Sequence, residues 1–113
     1  MKLPNAEDAV VPVEKVRDYL LSPRHPIGRF KASFFRRLGY TEEQWAKLEK
    51  DLRTQHLVLE AKEQDQTRYG RKFMIRGRFT GPTTETVMLI SVWVIRRGED
   101  FPRFVTAYPG GEL

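Results

Sequence analysis

The sequence predicts an α+β protein: two or three N-terminal helices followed by an antiparallel sheet of three or four strands. Apolar residues recur at spacings of three and four before residue 56, then alternate or run continuously after residue 70. Glycine- and proline-containing turns separate the strand-like runs. At 113 residues the chain is expected to form a single domain, 1–113, since domains typically hold roughly 100–150 residues.

Pro12 suits the first turn of a helix bearing Val13, Val16 and Leu20, and Ser22-Pro23 ends it. A second helix is predicted from about Pro26 to Leu38, with Phe30, Phe34 and Leu38 as its stripe and Gly39 as its C-terminal cap. Thr41 and Gln44 have the spacing of a capping box ahead of Trp45, Leu48 and Leu52 in a third helix. Residues 57–70 read two ways: His56 to Glu60 could add a short strand, and the polar tract Lys62 to Thr67 resembles a loop. From Lys72 to Phe79, Phe73, Ile75 and Phe79 point one way while Lys72, Met74, Arg76 and Arg78 point the other. Gly81-Pro82 leads into the apolar run Thr86 to Ile95, expected as a central strand covered on both faces. Gly98-Glu99-Asp100 turns the chain into a last strand, Arg103 to Tyr108, where simple alternation groups Phe104 with Thr106 and Tyr108.

Composition narrows the function. There is no cysteine, so disulfides and thiolate metal sites are excluded, and two histidines cannot build a structural zinc site. No apolar run reaches the roughly 20 residues of a spanning helix, and the N-terminus lacks the pattern of a signal peptide. A cytoplasmic location without membrane contact and without cofactor is the expectation. The formal net charge of +5 is unevenly placed. Residues 24–37 hold Arg24, Arg29, Lys31, Arg36 and Arg37 and no acid, residues 42–65 are net acidic, and residues 68–103 are net basic. Such a surface attracts phosphates and acidic proteins alike.

Two constellations could carry chemistry. In Arg24-His25-Pro26-Ile27-Gly28-Arg29-Phe30-Lys31, a helix starting at Pro26 would place His25 at the N-cap beside free N–H groups, a ready phosphate site. His25 also suits proton transfer near neutral pH; the bland alternative is a half-exposed capping turn. On the first long strand, Lys72, Arg76 and Arg78 would form a basic row fit for a phosphate backbone, or simply a solvated face. Thr106 and Tyr108 place a hydroxyl pair at the end of the last strand. His56 follows the acidic third helix and reads as a surface or helix-end residue.

Tyr19-Leu20-Leu21-Ser22-Pro23 with His25-Pro26-Ile27-Gly28-Arg29-Phe30-Lys31-Ala32-Ser33-Phe34-Phe35 resembles the start of an uncharacterised bacterial domain family. Its members are small stand-alone proteins, often labelled adhesins, or C-terminal modules of polymorphic toxins. Tyr69-Gly70-Arg71-Lys72-Phe73, Thr80-Gly81-Pro82, Val92-Trp93-Val94-Ile95 and Pro102 to Pro109 continue the likeness through nearly the whole chain. Arg36-Arg37 is more basic than many relatives at that point. The family's element order is similar to that of the metal-independent ribonuclease toxins grouped with barnase, the colicin tRNases and RelE.

That likeness implies a site made of a His, a Lys or Arg, and a Thr or Tyr. His25, Lys31, Arg78 and Tyr108 are the expected catalytic residues, and Arg29, Lys72, Arg76 and Thr106 the expected RNA contacts. The implied function is a toxin of a toxin–antitoxin pair, cleaving RNA by 2′-hydroxyl attack. A small acidic antitoxin or immunity protein would cover Arg29, Lys31, Arg76 and Arg78, with Phe30, Phe101 or Tyr108 as apolar centre. The alternative is a non-catalytic basic module that binds an acidic protein or nucleic acid.

Overall fold

Helical segments precede a four-stranded antiparallel meander in the computed structural model, which describes residues 1–26 and 29–113, with the backbone alone at 29 and 30. The N-terminal segment lies along the last strand: the Val10 N–H donates to the Pro102 carbonyl and the Phe104 N–H to the Val10 carbonyl, each at 2.9 Å. This fixes where α1 (Val13–Lys15) begins. Pro12, with ψ at 136°, precedes the helix and is not its first residue. α1 continues as a π-helical turn, Val16–Leu20, closed by the Leu21 N–H on the Val16 carbonyl. The i→i+5 bond takes one extra residue into the turn. Val16 and Leu20 are buried, while Tyr19 is left half-buried at the rim.

α2 spans Arg29–Arg37. Its buried side is Ala32 and Phe35, continued by Leu38, and Phe34 is only half-buried. The predicted Phe30/Phe34/Leu38 stripe is therefore corrected: Ala32, Phe35 and Leu38, spaced by three, face inward, and Phe35 meets the Tyr40 ring at 6.5 Å between centroids. Phe30's side chain lies outside the described residues. Gly39 ends the helix as predicted, at φ 106°, a conformation that side chains other than glycine rarely adopt. Pro26 sits in a turn, so His25 is not the N-cap of a helix starting there; residues 27 and 28, and with them the expected phosphate-binding first turn, lie outside the described residues.

α3 (Trp45–Asp51) follows a 3-10 turn, Glu42–Gln44. The capping box is not formed: Thr41 makes no side-chain cap, and the Gln44 N–H donates to the Thr41 carbonyl instead. α3 runs into a second π-helical turn, Leu52–His56, closed by the Leu57 N–H on the Leu52 carbonyl. This turn absorbs His56, so no strand forms at 56–60. The short strand β1 is Lys62–Glu63, within the tract expected to be a loop, paired with Met74 and Phe73.

β2 (Gly70–Thr80), β3 (Thr86–Arg96) and β4 (Arg103–Pro109) complete the sheet in the order β1-β2-β3-β4. Phe73, Ile75 and Phe79 of β2 meet Leu89, Trp93 and Ile95 of β3 in the core beneath the helices. Each large side chain so buried contributes roughly 2–3 kcal/mol. The opposite face differs from expectation. Met88, Ile90 and Val94 are only half-buried, so β3 is central in the sheet but fully covered on one face alone.

β4 departs from simple alternation. Trp93 pairs with Phe104 and Val92 with Thr106, leaving Val105 as the extra residue of a bulge. Phe104 and Ala107 both turn into the core, and Thr106 and Tyr108 pair with Val92 and Ile90 on the other face. The bulge thus separates Phe104 from Thr106 and Tyr108, contrary to the predicted grouping.

Candidate functional site

Where α1, α2 and the bulged strand converge, five side chains meet. The π-helical turn holds Tyr19 at the edge of β4, and the bulge keeps Thr106 out of the core. Lys31, in the first turn of α2 as described, reaches into the gap between them. Its Nζ donates to the Tyr19 hydroxyl at 2.8 Å and to Thr106 Oγ1 at 3.0 Å. Thr106 in turn donates to the Tyr19 oxygen at 3.4 Å. The same ammonium lies 5.2 Å from the Tyr19 ring centroid and 5.8 Å from that of Tyr108. The His25 ring meets Tyr19 edge-on, with centroids 5.1 Å apart and planes at 85°. All five residues are partly exposed, so a ligand can reach them.

The electrostatics follow from this packing. Burial alone would push the Tyr19 phenol up. The hydrogen bonds from Lys31 and Thr106, with the charges of Lys31 and Lys15, outweigh burial together and hold it below its ordinary value of 10.0. Both hydrogen bonds use the Tyr19 oxygen as acceptor, so neither engages its own proton. The arrangement pairs a fixed cation with a phenol made more acidic and an imidazole at its edge. It suits an anion that gains charge and needs a proton.

His25, Lys31, Thr106 and Tyr108 come together. Arg76 pairs across Ile90 with Tyr108, two strand spacings or about 10 Å away. Its guanidinium donates to the carbonyls of Gly110 at 2.8 Å and Glu112 at 3.2 Å. Arg78 pairs with Met88, one step further along β2, so the structure does not bring it beside Lys31 as a catalytic role would require. Lys72 pairs with Val94, at a groove described below. Arg29's side chain is outside the described residues.

Tyr19 and Lys15 complete the cluster although no sequence pattern marked them as functional. Tyr19 stood only at the head of the family-like stretch. Its position depends on the π-helical turn, which helical spacing does not reveal. His56 corrects the reading in the opposite sense. It is fully buried, with Nδ1 2.7 Å from Ser91 Oγ and Nε2 3.2 Å from the Gly77 carbonyl. Trp93 Nε1 donates to Ser91 Oγ at 2.9 Å. The helix end that was expected at the surface is turned inward by the second π-helical turn.

The family described as "Domain of unknown function (DUF6883)" matches residues 2–111. The chain belongs to that family. No curated protein matches the sequence. Among solved structures, the DUF6883 chain is similar to one chain of a contact-dependent growth inhibition toxin–immunity protein complex from Klebsiella pneumoniae 342. The TM-score is 0.64 at 19% identity, covering 94% of this chain and 97% of that one, and the likeness is one of fold. Among the described residues no helix is long and apolar enough to cross a membrane, and no three His, Cys, Asp or Glu side chains converge as a metal site.

Proposed function

We propose that this DUF6883 domain is a toxin module that cleaves RNA by 2′-hydroxyl attack without a metal ion. The observation that carries the reading is the Lys31 ammonium shared between the Tyr19 and Thr106 hydroxyls, with His25 against Tyr19. In the reaction the 2′-oxygen bonds to phosphorus, the bond to the 5′-oxygen breaks, and a 2′,3′-cyclic phosphate remains. His25 takes the 2′-hydroxyl proton. Tyr19, more acidic than a free phenol, returns a proton to the leaving 5′-oxygen. Lys31 stabilises the charge that builds on the phosphoryl oxygens, with Thr106 orienting it. Tyr108 walls the site through its ring, and Arg76, in register with it, holds a neighbouring phosphate.

Fold similarity to the growth-inhibition complex supports the toxin reading, and the basic charge favours the toxin's side of such a pair over the inhibitor's. The inhibitor is then a small acidic protein covering Lys31 and Arg76, with Tyr108 or Phe101 at its centre. The finer grouping with barnase, the colicin tRNases and RelE is part of this proposal. Purified protein incubated with total RNA in EDTA should cleave it, and expression without an inhibitor should arrest growth. Intact RNA together with unimpaired growth would overturn the reading. The exposed row Lys72, Arg76 and Arg78 supports a second reading, a binding module without chemistry. In that case Lys31→Met would leave the only measurable activity, RNA or partner binding, nearly unchanged.

A further inference from the structure

The open face of the sheet carries a groove that this chemistry does not use. Its floor is Val92 and Val94 of β3 with Val105, the bulged residue of β4; its walls are Tyr69, Lys72 and Arg96. The volume, about 450 Å³, lies in the roughly 300–1,000 Å³ range of small-ligand clefts. Three properties define what it would hold. The floor is flat and apolar, because β-branched side chains stand in a row on a pleated face. Among the described residues that line it there is no acid, while Lys72 and Arg96 set two cations at its edge. Tyr69 is 65% exposed, and the Arg68 guanidinium lies 5.0 Å from its ring centroid and donates to its hydroxyl at 2.8 Å. An aromatic ring held in place yet left open to solvent is a stacking surface in waiting.

Position links the groove to the site. Val92 of the floor is the cross-strand partner of Thr106, so the groove begins one strand away from Lys31. We infer that it is a nucleobase subsite, taking a single-stranded nucleotide that flanks the phosphate held at Lys31. The base stacks on Tyr69 over the valine floor, and its phosphate meets Lys72 or Arg96. The inference rests on the ribonuclease reading and adds where sequence preference would arise. An acidic protein partner would also be drawn to the two cations. The flat floor and the open ring, however, match a planar base.

The test uses fluorescein-labelled 2′-O-methyl octanucleotides of A, C, G and U, which cannot undergo 2′ attack, with anisotropy as readout. Wild type should bind one or two of the four best. Tyr69→Ala should weaken that binding roughly tenfold and level the preference, while Tyr69→Phe retains both. Val94→Trp, which fills the groove without changing charge, should do the same, with melting temperatures showing that each variant is folded. Cleavage of RNA by these variants should show a raised KM with kcat little changed. Folded variants that bind and discriminate like wild type overturn the subsite alone, provided wild type cleaves total RNA. If wild type neither binds nor cleaves RNA, the ribonuclease reading falls as well. Variants that lose affinity for an acidic inhibitor but keep RNA binding would reassign the groove to a protein partner and sink the inference.

Discussion

Two π-helical turns each deliver a polar side chain to a hydroxyl of the sheet, and they do opposite things with it. At the end of α3, His56 meets Ser91 of β3; at the end of α1, Tyr19 meets Thr106 of β4. The His56 site is sealed, and its donors and acceptors close on themselves. Trp93 Nε1–H donates to Ser91 Oγ, Ser91 O–H donates to Nδ1, and Nε2–H donates to the Gly77 carbonyl. That order follows because the carbonyl can only accept, which fixes the neutral tautomer. Every group is satisfied and nothing is left for a ligand. The Tyr19 site is half open, centred on a cation, and keeps the phenol proton unused. Burial makes the first a structural strut, whereas partial exposure and charge give the second its chemistry.

The comparison breaks most visibly at Lys31. Lys31→Met, or Tyr19→Phe, should lower RNA cleavage by about 100–1,000-fold, the loss expected for one charge-stabilising or proton-transferring group. Urea unfolding should move by no more than about 1 kcal/mol, since both positions are partly exposed. A loss of stability that accounts for the lost activity would place Lys31 among the struts. His56→Ala should do the reverse. It strands the Ser91 O–H and the Gly77 carbonyl and opens a cavity beside Phe79, whose ring lies 5.7 Å from the imidazole. A cost of about 3 kcal/mol follows, read from the urea midpoint at unchanged slope, with cleavage by the folded fraction preserved.

Part of this was legible in the sequence. Alternation from Phe73 to Phe79 and the apolar run of β3 mark two strands of the antiparallel sheet, because a face buried in the core imposes a period of two on β2. His25, Lys31, Thr106 and Tyr108, all visible as candidates in the sequence, lie around Tyr19. His56, read as a surface residue, and Tyr19, which no pattern marks, each stand in a π-helical turn, where an extra residue shifts side chains off the helical period. Thr106 was grouped with Phe104 because a bulge at Val105 leaves no local composition signal. Spacing along one strand does not show whether Arg76 or Arg78 aligns with Tyr108 two strands away.

A smaller effect is the pH dependence of the sealed His56 site. Burial is the main cause that holds the His56 imidazole below its ordinary value of 6.5, against the opposing hydrogen bond to Gly77. The unfolded chain therefore takes up a proton at a higher pH than the folded one does. Stability is complete above about pH 6.5 and falls as the pH drops through that value toward the lower folded one. Urea midpoints at pH 7.5 and 5.5 should show the loss, and His56→Gln should flatten it. An equal loss in the variant would place the titrating group elsewhere. The paired carboxylates Glu63 and Glu99, held below 4.5 by Arg71 and Arg103, act only at lower pH.

The smallest predicted effect is the sharpest test of how Tyr19 is tuned. Thr106→Val keeps shape and removes one donor to the phenol and one acceptor from Lys31. The Lys31 hydrogen bond and charge remain, so cleavage at neutral pH should fall only severalfold. The phenol, however, loses one of the groups that offset its burial, and its pKa should rise. If Tyr19 acts as the acid, activity is lost as pH climbs through that pKa, and in wild type the loss begins below the ordinary phenol value of 10.0. In Thr106→Val the alkaline limb of the rate profile should therefore move to higher pH, and in Lys31→Met, where residual activity permits, further still. A limb that stays in place in both variants would assign the alkaline titration to another group and remove Tyr19 from the proton-transfer step. A limb that moves in this order ties the acid to the oxygen that Lys31 and Thr106 share.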